Sequence, residues 1–110
     1  ILHENRPHEG IDVTAPTGTP IVAPATGIVV TAGNDKGFGL SVEIDHGNGI
    51  RTRFAHCSRL AVRTGQRVTR GQLIAAVGMT GLATAPHLHY EIHVNGKPVD
   101  PLTYVLPDAQ

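Results

Sequence analysis

The sequence predicts an all-β domain: antiparallel sheets forming a distorted sandwich or barrel, with little helix. Three observations carry this. Short apolar stretches alternate with polar residues at period two. The 13 Gly and 8 Pro are spread along the chain and cut it into pieces of strand length. No stretch of about ten residues shows the 3.6-residue apolar stripe of an amphipathic helix.

The elements follow in order. In Arg6–Val13, Pro7 and Gly10 disfavour a helix, so His8-x3-Asp12 reads as a loop entering a strand. Ile21-Val22-Ala23, between Pro20 and Pro24, and Ile28-Val29-Val30, between Gly27 and Gly33, are short apolar strands. Leu40, Val42 and Ile44 then alternate with Ser41, Glu43 and Asp45. Gly47-Asn48-Gly49 joins that strand to Ile50–His56, a strong hairpin signal because Asn and Gly accept the left-handed backbone such a turn needs. Alternation within the second strand puts Thr52, Phe54 and His56 on one face. Leu73–Val77 and Leu88–Val94 follow, and Asn95-Gly96 turns the chain into Lys97-Pro98-Val99. His46, at the hairpin, is expected at the surface.

A chain of 110 residues suits one domain over 1–110. The formal net charge of +0 argues against capture of nucleic acid by a basic surface. No apolar run approaches the roughly 20 residues of a membrane-spanning helix. The single cysteine, Cys57, excludes an internal disulfide and a cysteine-rich zinc site, and reads as a small buried apolar residue. The chain begins at Ile1 without Met or a basic leader, so a domain excised from a longer chain is expected. Seven histidines raise the expectation of a metal or catalytic site, since imidazole is both a common metal ligand and a general base.

Three segments could supply that site. In His87-Leu88-His89-Tyr90-Glu91-Ile92-His93-Val94, period two points His87, His89, Glu91 and His93 one way and the apolar residues the other. Two imidazoles so close allow one to bind a metal and the other to act on its water. His93 would lie about 13 Å from His89 along the strand, too far to share a metal, whereas Glu91 could orient a ligand. His8 and Asp12 offer one nitrogen and one oxygen donor, both normal for zinc. His56 ends a strand after Phe54. Each segment alone also fits a polar loop, a solvent-facing strand or a satisfied core histidine. Together they hold enough donors for three zinc ligands with two imidazoles to spare.

His8-x3-Asp12, Phe54-Ala55-His56 and Pro86-His87-Leu88-His89-Tyr90-Glu91, in this order, resemble the signature of the lysostaphin/LytM-type zinc endopeptidases, the M23 peptidase family. Gly18–Pro24, Gly27–Val30, Ile44–Gly49, Val68–Ile74, Gly78–Gly81 and Asp100-Pro101-Leu102 extend the resemblance over about residues 6–104. It implies a β domain with an open groove, and one Zn2+ held by His8, Asp12 and His89. His56 and His87 would be catalytic beside it. The implied substrate is peptidoglycan peptide, cut in glycine bridges or diaminopimelate cross-links, by a monomeric domain in the bacterial cell envelope, periplasmic or extracellular. Degenerate members of the family act as silent modules that bind cell wall or activate an amidase, and a latent, blocked site is a further expectation. The sequence departs from the family at Ala85 (usually Gly), Phe54 (usually Tyr, whose hydroxyl would lie near His56), Cys57 (usually Leu) and Leu82-Ala83-Thr84.

Overall fold

Two tight hairpins show how the sequence sets the strands. Asn48 and Gly49 adopt φ of 52° and 78°, and Asn95 and Gly96 adopt 52° and 81°. These left-handed pairs match the twist of the flanking strands, and pair Gly47 with Ile50 and Val94 with Lys97. The computed structural model describes residues 3–6, by their backbone, and residues 10–107. In chain order the strands are β1 (His3–Arg6), β2 (Gly10–Thr14), β3 (Pro20–Val22), β4 (Gly27–Asp35), β5 (Gly39–Gly47), β6 (Ile50–Leu60), β7 (Arg67–Val68), β8 (Leu73–Val77), β9 (His87–Val94) and β10 (Lys97–Val99).

Every pairing among the described strands is antiparallel, and no helix occurs among the described residues. The main sheet runs β1-β2-β9-β6-β5-β4-β7 and does not close. The long β6 pairs with β5 along one edge and shares its other edge between two strands: Ile50–Ala55 pairs with β9, and Cys57–Leu60 pairs with β8, which carries β3. The expectation of an all-β domain of antiparallel strands stands.

Packing follows the alternation. Val29, Val42, Ile44, Phe54, Cys57, Val68, Ile74 and Val77 form the main core with Ile21 and Ala75. Each large apolar side chain buried there contributes about 1.5–3 kcal/mol of transfer free energy. A smaller cluster of Ala25, Ile50, Ile92 and Leu106 closes the other end. Tyr90 packs against both, its ring 5.1 Å from that of Phe54. Thus the β9 face bearing Tyr90 and Ile92 is committed to the core, and the opposite face is left for His87, His89, Glu91 and His93.

Several sequence expectations are corrected. β6 continues four residues past His56. His46 is buried, because it extends the inward series Val42, Ile44, His46 of β5. It donates from Nδ1 to the Thr26 carbonyl (3.0 Å) and accepts at Nε2 from the Thr52 hydroxyl (2.8 Å), so burial leaves no ring nitrogen unsatisfied. Phe54 stacks in the core on Tyr90, so the hydroxyl it lacks belongs to a core position.

Candidate functional site

Register brings the site together. β2 and β9 pair with Asp12 directly opposite His89, and β6 and β9 pair with Ala55 opposite His89. Side chains on directly opposed positions share a face and meet. Asp12 Oδ1 and His89 Nδ1 accordingly lie 2.7 Å apart, and His87 Nε2 stands 3.7 Å from the same oxygen. Ala55, on the other flank of His89, has too small a side chain to cover the ring. His8, the remaining expected ligand, lies outside the described residues, between the paired Arg6 and Gly10.

His56 arrives by a different route. Strict alternation would put it with Phe54 in the core. Instead His56 has φ of 63°, and the β5–β6 register shifts between Leu40/Cys57 and Val42/Phe54. This left-handed residue in a β-bulge turns the imidazole to the face opposite Phe54. Its ring lies 4.9 Å from that of His87 and 6.2 Å from that of His89. The expectation that Phe54 and His56 share a face is therefore wrong, and the bulge is the reason.

Backbone carbonyls select the tautomers of both flanking histidines. A carbonyl only accepts, so a ring nitrogen bonded to it must carry the proton. His56 Nδ1 donates to Thr80 O at 2.7 Å, and His87 Nδ1 donates to Ala85 O at 2.8 Å. In the neutral rings Nε2 is then the nitrogen with a lone pair in both cases. Burial is the largest influence on His56. With the neighbouring His87 and His89 charges it holds the pKa below the ordinary 6.5, against the opposing effect of the Thr80 bond. The bond at Ala85 uses only main chain, so Ala in place of Gly leaves it intact.

His89 is clamped on both sides. Besides Asp12 at Nδ1, its Nε2 lies 2.8 Å from Glu91 Oε2, while Glu91 Oε1 is 2.9 Å from His93 Nε2. The Glu91 bond is the main cause that raises the His89 pKa; Asp12 adds to it and burial opposes it. Burial pushes Glu91 upward, but its bonds from His89 and His93 outweigh burial and hold it below the usual value. The donor chemistry fits zinc: one carboxylate oxygen and one imidazole nitrogen converge, and the far nitrogen of the imidazole is held by a carboxylate.

The sequence did not single out Thr80 or Phe38. The Thr80 hydroxyl donates to Cys57 O (2.7 Å) and accepts from Leu40 N–H (3.0 Å), pinning the loop whose carbonyl holds His56. Phe38 stacks 6.1 Å from His89 and carries the Arg53 guanidinium at 4.7 Å, forming a wall of the site. The only available signals were the Gly neighbours of each, which mark tight loops but not their targets. Farther along the same face, Glu43, Arg51, Arg53, His93 and Asn95 line a cavity of about 400 Å³.

The chain matches the model of peptidase family M23 over residues 6–101. It is 47% identical over 110 residues to the DD-carboxypeptidase/endopeptidase Mpg of Neisseria meningitidis, covering 100% of this chain and 25% of that protein. It is 45% identical over 103 residues to the peptidoglycan DD-endopeptidase ShyA of Vibrio cholerae, covering 94% of this chain and 24% of that one. A crystal structure of a zinc-containing peptidase from Vibrio cholerae superposes with a TM-score of 0.86 at 39% identity, covering 92% of this chain and 31% of that chain. The chain thus spans about a quarter of the length of these two relatives.

Proposed function

The chain belongs to peptidase family M23, and from that premise we propose that it is a zinc-dependent endopeptidase that hydrolyses amide bonds in the D,D-cross-links of peptidoglycan, in the bacterial cell envelope. The observation that carries the proposal is the convergence of Asp12 and His89 at 2.7 Å beside His56 and His87, two imidazoles with Nδ1 committed to backbone carbonyls. The D,D-cross-link is chosen because Mpg and ShyA, named as a DD-carboxypeptidase/endopeptidase and a DD-endopeptidase, are 47% and 45% identical to this chain.

In this reading His8, Asp12 and His89 hold one Zn2+. Bound there, zinc lowers the pKa of a water to about 7 and polarises the scissile carbonyl. The chain's own residues manage the protons. Nε2 of a neutral His56 or His87 accepts the proton of the attacking water, and the imidazolium so formed returns it to the leaving amine. His56, whose pKa is held down, is the imidazole of the pair kept ready to accept. A neutral Nδ1–H ring cannot donate at Nε2, so stabilising the oxyanion falls to whichever of the two is protonated at that moment.

Digestion of purified sacculi, followed by mass spectrometry of the fragments, tests this. The zinc-loaded chain is expected to release fragments cut at D,D-cross-links. His87→Ala should lower the rate about 10²–10⁴-fold, the usual contribution of a general acid–base group, and His8→Ala should abolish zinc binding with activity. Intact cross-links after digestion by the loaded chain would overturn the reading.

A further inference from the structure

Glu91 stands at a junction that the proposed chemistry does not itself require. Period two places His89, Glu91 and His93 on one face at about 6.6 Å intervals, so a carboxylate at the middle position reaches both rings. It does: Oε2 is 2.8 Å from His89 Nε2, and Oε1 is 2.9 Å from His93 Nε2. The Glu91 side chain is only 12% exposed, so water competes poorly for these bonds. Its neighbours make room for it. A Cβ on Gly10 would come within 2.9 Å of Glu91 Cγ and 2.3 Å of the Tyr90 carbonyl oxygen, so only a residue without a side chain fits there. On the other flank Arg53, which opposes Glu91 in the register, donates to Glu43 at 2.8 Å.

We infer that Glu91 is the positioning residue of this site: it holds the His89 imidazole with its proton on Nε2, which makes Nδ1 the metal-facing nitrogen, and His93 steadies Glu91 in turn. The inference rests on the zinc reading above. Its logic is that of donors and acceptors. An ionised carboxylate only accepts, so the His89 nitrogen bonded to Glu91 must be N–H. Asp12, 2.7 Å from Nδ1, calls by the same rule for a proton on that nitrogen in the metal-free ring. Because Asp12 is itself an expected ligand, an ion bound there takes the place of the Nδ1 proton, and the one proton left to the ring is the Nε2 proton that Glu91 holds. A ring free to rotate or to change tautomer would offer the ion the wrong nitrogen part of the time. A carboxylate that fixes both removes that loss and makes the ligating nitrogen more basic. His93, too far from His89 to share its metal, then acquires a role: its bond occupies the second Glu91 oxygen and limits carboxylate rotation.

The test measures zinc affinity by chelator competition on the 110-residue chain. The variants are Glu91→Ala, Glu91→Gln and His93→Ala, with circular dichroism and Tm confirming that each is folded. Glu91→Ala should bind zinc about 10–100-fold more weakly than the parent. Glu91→Gln should fall between, because its amide oxygen still accepts from Nε2–H, and His93→Ala should lose less than Glu91→Ala. Long-range 1H–15N spectra of the zinc-loaded parent should show the His89 proton on Nε2, a readout that stands even if a variant does not fold. Unchanged affinity in folded Glu91→Ala, or a His89 proton on Nδ1, would overturn the inference. Those failures are separate from that of the endopeptidase reading: a parent that binds zinc tightly but leaves sacculi uncut sinks only the latter, and a parent that binds no zinc sinks both.

Discussion

His56 reaches the site as an exception to its own strand, and that exception has consequences for pH. Its backbone sits at φ of 63°, and the turned ring is partly buried beside two other imidazoles. Burial first, then the neighbouring charges, hold its pKa below 6.5. A lowered histidine pKa means that the fold favours the neutral ring. This contribution to stability is therefore fully present above pH 6.5 and is lost as pH falls from 6.5 through the lowered value. Activity that needs neutral His56 follows the same sign. With zinc kept saturating, kcat/KM should hold through pH 6.5 and decline only below it, and a bound cation would push the limb further in the same direction. A pH–rate profile whose acid limb lies above 6.5 would contradict this role. Cys57 gives a simpler case: burial pushes its thiol up to about 11, so it should resist alkylation at neutral pH until the chain is unfolded, as thiol titration with and without denaturant would show.

At the scale of elements, the loops that frame the site are locked by their glycines. Gly39 and Gly81 pack main chain against main chain: a Cβ on Gly81 would lie 2.5 Å from Gly39 N and 2.6 Å from Gly37 O, at a φ of 74° that disfavours any side chain. Leu82 N–H donates to Gly37 O at 3.0 Å across the same junction. Because Thr80 sits next to Gly81 and its carbonyl holds His56, Gly81→Ala should do two things. It should destabilise the chain by about 1–3 kcal/mol, the scale of local backbone strain, and lower kcat more than zinc affinity, because Asp12 and His89 lie on strands outside this junction. Urea denaturation of the one variant reads the first effect, and its kcat set beside its zinc affinity from chelator competition reads the second. Thr80→Val keeps the loop's shape but orphans the Leu40 N–H and the Cys57 carbonyl, and a loss of similar size is expected. The same elements show what could be read in advance. Leu73–Val77 and Lys97–Val99 coincide with β8 and β10, and both Asn-Gly hairpins form as expected, because alternation and turn chemistry are local signals. Asp12 facing His89 is a matter of register between strands 77 residues apart in sequence, which no local pattern encodes; only the order of the motifs pointed to it. The His56 bulge and the Thr80 pin depend on loops meeting in space, and the two-residue β7 carries too little sequence to show any period.

At the scale of the whole molecule, the division between the two faces of the sheet decides what zinc does for stability. The main core is an apolar set spread over β3 to β8, and Asp12, His56, His87 and His89 are not part of it. The site residues are carried on strands already held by backbone pairing on either side: β9 lies between β2 and β6, and β6 between β9 and β5. A domain built this way does not depend on the metal to organise its core, unlike a zinc finger, where ligand binding and folding are one event. The chelated chain should therefore keep its β-sheet circular dichroism and melt cooperatively. Zinc should then raise Tm by mass action alone. At a free concentration of about 100 times Kd the gain is about 2.7 kcal/mol, or roughly 10 °C for a domain of this size. The gain should grow with the logarithm of zinc concentration and vanish in the His89→Ala variant. A chelated chain with the spectrum of an unfolded polypeptide would show instead that the metal end of the sheet, and not the apolar face, holds the fold together.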